Sequence, residues 1–173
     1  MIRDLHLIRH AKSSWDEPHL ADYERPLNTR GLRAAPLMGR AMAARVPTPP
    51  AFFVSAARRA RETYRGLLKG WPTLEQSPVS EERTLYTFSW DGLRDWLSQC
   101  DDGLDNVAVI GHNPAMTDFI NHLCPSLELD NLPTAGWVWL RFEDVSWSEA
   151  ALAVSSASAM ASLRPKTLVG EAP

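Results

Sequence analysis

Residues 5–14 read LHLIRHAKSS, an apolar, strand-like run that ends in an adjacent arginine and histidine. A strand that leads into a turn presents its last side chains at the carboxyl edge of a sheet, where open α/β folds bind their ligands. Arg9 could hold a phosphoryl group at such an edge while His10 attacks it. An Arg-His pair alone is weak evidence, because short motifs often match by chance.

Two further segments repeat the same arrangement. Residues 51–63, AFFVSAARRARET, are an apolar run followed by a helical pattern that carries Arg59. Residues 106–114, NVAVIGHNP, are an apolar strand followed by His112, by Asn113 as a good helix N-cap, and by a proline suited to a first helical turn. Three strand-to-helix junctions therefore supply an Arg-His pair, an arginine and a histidine, a set suited to phosphoryl transfer.

These motifs resemble the signatures of the histidine phosphatase superfamily, the phosphoglycerate mutase-like proteins. The matching segments are LIRHA at 7–11, Ser55-x3-Arg59-Ala60-x2-Thr63, and GHNP at 111–114. The resemblance is closer to the SixA-type phosphohistidine phosphatase branch, through RHAKSSW at 9–15, DYERPLNTRG at 22–31 and LRPK at 163–166. It implies a phosphoglycerate mutase-like fold and a phosphatase that forms a phospho-His10 intermediate.

Composition favours one compact enzyme domain spanning residues 1–173. The hydrophobic content of 45% is enough for a real core, and the N-terminus lacks the apolar region of a signal peptide. We expect a cytoplasmic protein, in which Cys100 and Cys124 are small buried hydrophobes rather than a disulfide. The net charge of −3 argues against a nucleic-acid partner, and no apolar run approaches membrane length.

Alternating strand and helix patterns predict a three-layer α/β/α fold around a mostly parallel central sheet. Strands are expected near 3–9, 51–54, 106–110, 136–142 and 150–155, and helices near 30–45, 57–69, 91–100 and 114–124. Residues 72–79 read as a loop, and the tail after Lys166 as frayed. In the strand near 136–142, Trp137 and Trp139 share one face and are expected in the core, with apolar residues on the other face as well.

The predicted chemistry assigns a role to each candidate residue. His10 is the nucleophile, Arg9 and Arg59 clamp the phosphoryl oxygens with planar guanidinium groups, and His112 donates a further hydrogen bond, most usefully as imidazolium. No metal or cofactor is predicted, because these cations supply the positive charge. Substrate-binding candidates are Ser13, Asn113 and Arg25; for Ser13 a turn role, and for Asn113 an N-cap role, stand as alternatives.

The possible substrates differ in whether their leaving group needs a general acid. An alcohol needs a proton from a general acid, whereas the ring of phosphohistidine can be protonated beforehand. Glu82 is the possible general acid, although an exposed surface carboxylate is the commoner role for such a glutamate. We predict a phosphohistidine phosphatase whose partner is a histidine-phosphorylated phosphotransfer or phosphocarrier domain, with neither nucleic acid nor membrane involved. A small-molecule phosphomonoesterase or mutase of the same superfamily, and a non-catalytic phosphoprotein-binding module, remain alternatives.

A cluster of cations opposes the negative net charge. Lysine and arginine side chains concentrate in segments expected around the site, where they could steer an anionic phosphoprotein towards the pocket. For Arg33, Arg58 and Arg61 a solvated helix face is an equal alternative.

Overall fold

The structure is a computed structural model that describes residues 1–153 and 156–171. Its strands are β1 (Ile2–Arg9), β2 (Ala51–Ser55), β3 (Val79–Glu82), β4 (Asn106–Gly111), β5 (Trp137–Glu143) and β6 (Ser158–Leu163). Its α-helices are α1 (Thr29–Arg45), α2 (Arg58–Gly70), α3 (Trp90–Ser98), α4 (Ala115–Leu123), α5 (Trp147–Leu152) and α6 (Pro165–Glu171).

The strands form one sheet in the order β3-β2-β4-β1-β5-β6. Pairing is parallel from β3 through to β1, whereas β5 is antiparallel to both of its neighbours, so β5 alone runs against the others. The central strands are buried on both faces, which explains why their sequences read as continuous apolar runs. The predicted mostly parallel α/β/α architecture is confirmed.

Two apolar clusters fill the space between the sheet and its helices. One contains side chains of α3, α4 and α5, and the other contains side chains of α1, α2 and α6. Trp137 and Trp139 belong to the second cluster, and Val138, Leu140 and Phe142 belong to the first, as the alternation along this strand predicts. The layers therefore cover both faces of β5.

The strand predicted at 150–155 is wrong. Residues up to Leu152 belong to helix α5, which begins because the Ser146 side chain accepts a hydrogen bond from the Glu149 backbone N–H. The alanines and leucine that follow this N-cap are strong helix formers, so the short apolar run continues as a helix. Residues 154 and 155 lie outside the described residues, and the strand itself, β6, begins at Ser158.

Two segments that the sequence predicts to be irregular contain regular secondary structure. The segment predicted as a loop at 72–79 ends at the first residue of β3, whose register pairs Val79 with Phe52 of β2. The tail expected to fray after residue 166 is helical as far as Glu171. The Arg164 carbonyl accepts the first backbone hydrogen bonds of this helix, and Leu168 packs against the cluster under α1.

The close approach of α1 to the loop after β1 depends on Gly31. A Cβ at this position would lie 2.2 Å from the Lys12 carbonyl oxygen, which is fixed backbone. We therefore expect Gly31→Ala to destabilise the fold by about 1–3 kcal/mol, the usual cost of overpacking. Urea unfolding measures this change. Gly103→Ala is the control, since its nearest contact is the exposed Asp101 side chain at 3.1 Å; an equal effect of both changes would contradict this interpretation.

Candidate active site

The candidate site lies where three adjacent strands end. Strands β2, β4 and β1 are parallel neighbours, so the residues that follow them meet at one edge of the sheet. His10 follows β1, Arg59 lies in the first turn of α2, and His112 follows β4. With Arg9, these side chains line a pocket of about 250 Å³. The other lining residues are Lys12, Ser13, Trp15, Asp22, Arg25, Phe88, Asn113 and Thr134.

The ring of His10 is held in one orientation and one tautomer. Its Nδ1 lies 2.7 Å from the Ala11 carbonyl oxygen, which can only accept, so Nδ1 carries the proton and Nε2 keeps its lone pair. Arg59 Nε donates to that Nε2 over 3.3 Å. Burial lowers the pKa of His10 to about 3, with the charges of Arg59 and Arg9 acting in the same direction. His10 is therefore neutral near pH 7.

A buried hydroxyl joins the loop that carries His10 to the turn that carries Arg59. Thr63 Oγ1 accepts from the Ala11 backbone N–H at 2.9 Å and donates to the Arg59 carbonyl oxygen at 2.7 Å. Each partner lies in the segment next to its reactive side chain. Thr63 therefore fixes the distance between the two segments.

Arg59 is almost fully buried and makes polar contacts in several directions. Its Nη1 donates to the Asp22 carbonyl oxygen at 2.6 Å and its Nη2 to the Asp22 carboxylate at 2.8 Å, while its Nε faces His10. A guanidinium can serve these partners at once because its donors form a rigid planar fork. The contact with Asp22 holds Nε on the His10 ring.

Asp22 is a site residue to which the sequence reasoning gave no role. Besides Arg59, its carboxylate accepts from the Tyr86 hydroxyl at 2.6 Å and from Arg25 Nε at 3.2 Å. Burial raises the pKa of this carboxyl, but the hydrogen bonds from Tyr86 and Arg59 outweigh it and bring the pKa to about 2. Asp22 is therefore ionised. The sequence feature that could have identified Asp22 is its position at the start of the motif at 22–31.

His112 is buried between a hydroxyl and a guanidinium. Its Nε2 lies 2.7 Å from Ser55 Oγ, and its Nδ1 lies 3.4 Å from Arg59 Nη2, which can only donate. Burial, followed by the neighbouring His10 and Arg59, lowers the pKa of His112 to about 2. His112 is therefore neutral near pH 7, and the imidazolium form expected from the sequence needs a nearby negative charge. A phosphoryl dianion placed here would raise that pKa, because opposite charge favours the protonated ring.

Arg9 has spare hydrogen-bonding capacity in the pocket. One amino group donates to the Leu132 carbonyl oxygen at 3.1 Å. Its Nε is buried and has no acceptor among the described residues. Burial and the nearby charge of Arg59 lower the pKa of Arg9. An orphaned guanidinium N–H is costly in an apolar setting and is satisfied when an anion enters.

Two of the predicted substrate-binding residues lie together at the pocket wall. Arg25 Nη1 donates to Ser13 Oγ at 2.8 Å, and the Arg25 guanidinium carbon lies 3.5 Å from the ring centre of Trp15. Arg25 and Ser13 are buried, whereas Trp15 is exposed. Arg25 is thus held by stacking and hydrogen bonds where its charge faces the pocket.

Asn113 also lines the pocket, but protein groups occupy its amide. Its Nδ2 donates to the Leu132 carbonyl oxygen at 2.9 Å, and its Oδ1 accepts from the Thr117 backbone N–H at 3.1 Å and from the Thr117 hydroxyl. These contacts hold the start of α4 against the loop before β5. They favour a structural role over a phosphate contact, but the N-cap position of α4 is Pro114 and not Asn113 as the sequence predicts.

The structure does not bring Glu82 to the catalytic pocket, which argues against a role as general acid. Glu82 is the last residue of β3 and points to the face of the sheet that α3 covers. It lines a separate pocket with Phe53, Trp96 and Cys100, and accepts a hydrogen bond from Ser80 at 3.1 Å. Proximity to the second helix along the sequence did not bring Glu82 into the catalytic pocket, whose lining does not include it.

Within residues 1–153 and 156–171, no group of three or more His, Cys, Asp or Glu side chains is placed so that it could hold a metal ion. None of the helices in this part of the chain is both long and apolar enough to cross a membrane.

The buried histidines predict a stability that falls in mild acid. His6 accepts from Trp137 Nε1 in the core, and burial lowers its pKa to about 4, beside about 3 for His10 and about 2 for His112. Below pH 6.5 the unfolded chain binds protons that the folded chain excludes. Each of these histidines therefore lowers the free energy of unfolding by about 1.4 kcal/mol for each pH unit. Urea unfolding from pH 7 to pH 5 should show this decline. A constant free energy of unfolding would contradict the assigned neutral histidines.

Known proteins resemble this chain in sequence. The model of the histidine phosphatase superfamily (branch 1) matches residues 5–94. An uncharacterized protein of Mycobacterium tuberculosis is 31% identical over 109 residues, 62% of this chain. The match spans 63% of that relative's length.

Solved structures share the fold. A protein assigned as phosphohistidine phosphatase SixA from Nakamurella multipartitia superposes with a TM-score of 0.78 at 21% identity, covering 95% of this chain and 97% of that one. The protein histidine phosphatase SixA complexed with tungstate gives a TM-score of 0.74 at 19% identity, covering 95% and 99%. At such identities the likeness concerns the fold.

Proposed function

Because the chain belongs to the histidine phosphatase superfamily, we propose that it is a histidine-dependent phosphatase that works through a phospho-His10 intermediate. The observation that carries the proposal is the state of His10. Its Nδ1–H is held by the Ala11 carbonyl, its Nε2 lone pair faces the pocket, and its low pKa keeps it unprotonated. A nucleophile for phosphoryl transfer needs this combination.

In the first step, His10 Nε2 forms a bond to phosphorus while the bond from phosphorus to the leaving group breaks. Arg9, Arg59 and Arg25 supply positive charge to the equatorial oxygens, which carry most of the charge in a loose transition state. The incoming dianion also replaces the contact between Arg59 and the His10 lone pair. That lone pair becomes available as the phosphoryl group arrives.

In the second step, a water oxygen attacks the same phosphorus and the bond to His10 Nε2 breaks. The products are inorganic phosphate and neutral His10, and the water proton leaves with the phosphate or passes to solvent. His112 Nδ1 faces the pocket, and its pKa rises beside the dianion, so it can donate a hydrogen bond to a phosphoryl oxygen in both steps.

The carboxylates favour phosphohistidine as the substrate. Asp22 is the only carboxylate among the described residues that line this pocket, and its low pKa keeps it from carrying a proton near neutrality. An alkoxide leaving group would lack a carboxylic acid to protonate it. A phosphohistidine ring is protonated on its other nitrogen before reaction and leaves as neutral imidazole, so it needs no such acid.

The partner that we propose from this substrate class is a histidine-phosphorylated phosphotransfer or phosphocarrier protein in the cytoplasm. The fold shared with proteins called SixA phosphohistidine phosphatases supports this choice of substrate class. The tungstate in one of those complexes is a tetrahedral oxyanion of the kind that a phosphoryl pocket accepts.

The test compares kcat/KM on a histidine-phosphorylated carrier protein with that on an aryl phosphate, for wild type and Glu82→Gln. We expect the phosphohistidine protein to be the better substrate and Glu82→Gln to leave its hydrolysis unchanged, because Glu82 lines a separate pocket and is not among the residues that line the catalytic pocket. Loss of a general acid would instead cost about 10²–10⁴-fold. A loss of that size, or a clear preference for the aryl phosphate, would favour the phosphomonoesterase alternative.

A further inference from the structure

A second pocket beside the candidate active site concentrates positive charge. It has a volume of about 590 Å³ and an apolar part formed by Ala34, Leu37, Pro133 and Pro165. Its cationic residues are Lys12, Arg30, Arg33, Arg164 and Lys166. We call this site the basic pocket. It lies on the side of the sheet covered by α1 and α6.

The cations of the basic pocket come from three segments that tertiary folding brings together. Lys12 follows β1, Arg30 and Arg33 lie in the first two turns of α1, and Arg164 and Lys166 flank the start of α6. No carboxylate lines this pocket, and within the described part of the chain none of these cations forms an ion pair. Such charge, on a chain with net charge −3, is a binding surface for an anion.

The basic pocket adjoins the catalytic pocket. Lys12 and Thr134 line both of them. One molecule with its phosphoryl group at His10 can therefore place a second anionic group against Arg33 and Arg164. We propose that the basic pocket binds acidic side chains next to the phosphohistidine of a protein substrate. This inference rests on the proposed function and specifies the class of partner.

Acidic side chains fit this pocket better than a nucleic acid does. Guanidinium groups pair with carboxylates through parallel hydrogen bonds, and the apolar part accommodates the methylene groups of glutamate or a neighbouring apolar residue. A nucleic acid requires a longer basic track to follow its phosphates. Here the five cations surround one concave site, and the net charge of the chain is negative.

The test uses three probes and two charge-reversed proteins. The probes are phosphoramidate, which occupies only the catalytic pocket, and two phosphohistidine peptides of equal length with glutamates or glutamines at the same flanking positions. The test protein carries Arg33→Glu and Arg164→Glu, with Lys12 kept because it lines both pockets. The control carries Arg45→Glu, an exposed position at the far end of α1. Thermal unfolding checks that each variant is folded.

We expect wild type to prefer the glutamate peptide through a lower KM, and the double variant to lose about tenfold in kcat/KM on that peptide at low salt, the lower range for electrostatic steering. Added salt should reduce the difference. Turnover of phosphoramidate and of the glutamine peptide should stay near wild type, and Arg45→Glu should lose little.

Equal losses on both peptides, or no loss on either, would overturn the docking role. A matching loss on phosphoramidate would also overturn it, since the charges would then act on the catalytic pocket. Failure of the proposed function looks different, because wild type itself would then fail to hydrolyse phosphoramidate and both peptides.

Discussion

Replacing His10 with alanine should abolish turnover, with a loss on the order of 10⁵–10⁶-fold, the scale seen when a covalent nucleophile is removed. The change deletes the Nε2 lone pair that faces Arg59, and leaves the arginines and His112 in place. The variant should still bind oxyanions such as vanadate. Steady-state hydrolysis of a histidine-phosphorylated protein measures the loss of turnover. Direct binding of vanadate to the variant shows whether the pocket is retained.

Covalent labelling gives the decisive readout for His10. Wild type incubated with a phosphate-labelled substrate and quenched should carry label that is labile in acid and stable in base, as expected for a bond between phosphorus and a ring nitrogen. The label should map to His10 and be absent from His10→Ala. His19→Ala is the matched control, because His19 is exposed and outside the pocket. Label that persists on His10→Ala would identify another nucleophile.

Arg59→Ala should slow turnover by about 10²–10³-fold, the usual loss when one donor to developing charge is removed. The substitution also releases the Asp22 carboxylate from its contact at 2.8 Å and removes the donor that faces His10 Nε2. Arg59→Lys should recover only part of this loss, because an ammonium is a point charge that cannot reach both partners at once. The measurement is kcat and KM on a phosphohistidine substrate.

Arg58 offers a control at the adjacent position on the same helix. Its side chain is exposed and contacts Glu62 at 3.4 Å rather than the pocket. Arg58→Ala should therefore change kcat by less than about threefold, as for most exposed ion pairs. Comparable losses at Arg58 and Arg59 would show that the wrong arginine has been assigned to the phosphoryl group.

Local sequence patterns predicted most of the fold. Strands β1, β2, β4 and β5 and helices α1 to α4 lie within a few residues of their expected positions. The successes are long apolar runs or strongly periodic helices, whose burial depends on the pattern itself. The failures at α5 and β3 are short elements. Their type depends on a single N-cap at Ser146 and on pairing with β2, which the apolar pattern does not encode.

Some residues of the candidate site could be predicted from local sequence patterns and others could not. His10, Arg9, Arg59 and His112 could be selected from sequence because each lies at or shortly after the end of an apolar strand, and parallel neighbours end at one edge. Glu82 was placed near the site from sequence because distance along the chain does not show which pocket a side chain lines. Asp22 was overlooked as a site residue because its partners, Tyr86 and Arg59, lie far from it in sequence.

By itself, the sequence determined the α/β class, the central strands and the four residues at their ends, since each of these depends on contiguous patterns and on the geometry of parallel strands. Tertiary structure decided the protonation states of His10 and His112, because burial and neighbouring charge set a pKa. It also decided the exclusion of Glu82, the place of Asp22 and the assembly of the basic pocket from segments as distant as Lys12 and Lys166. These properties arise from side chains that meet only after the chain has folded.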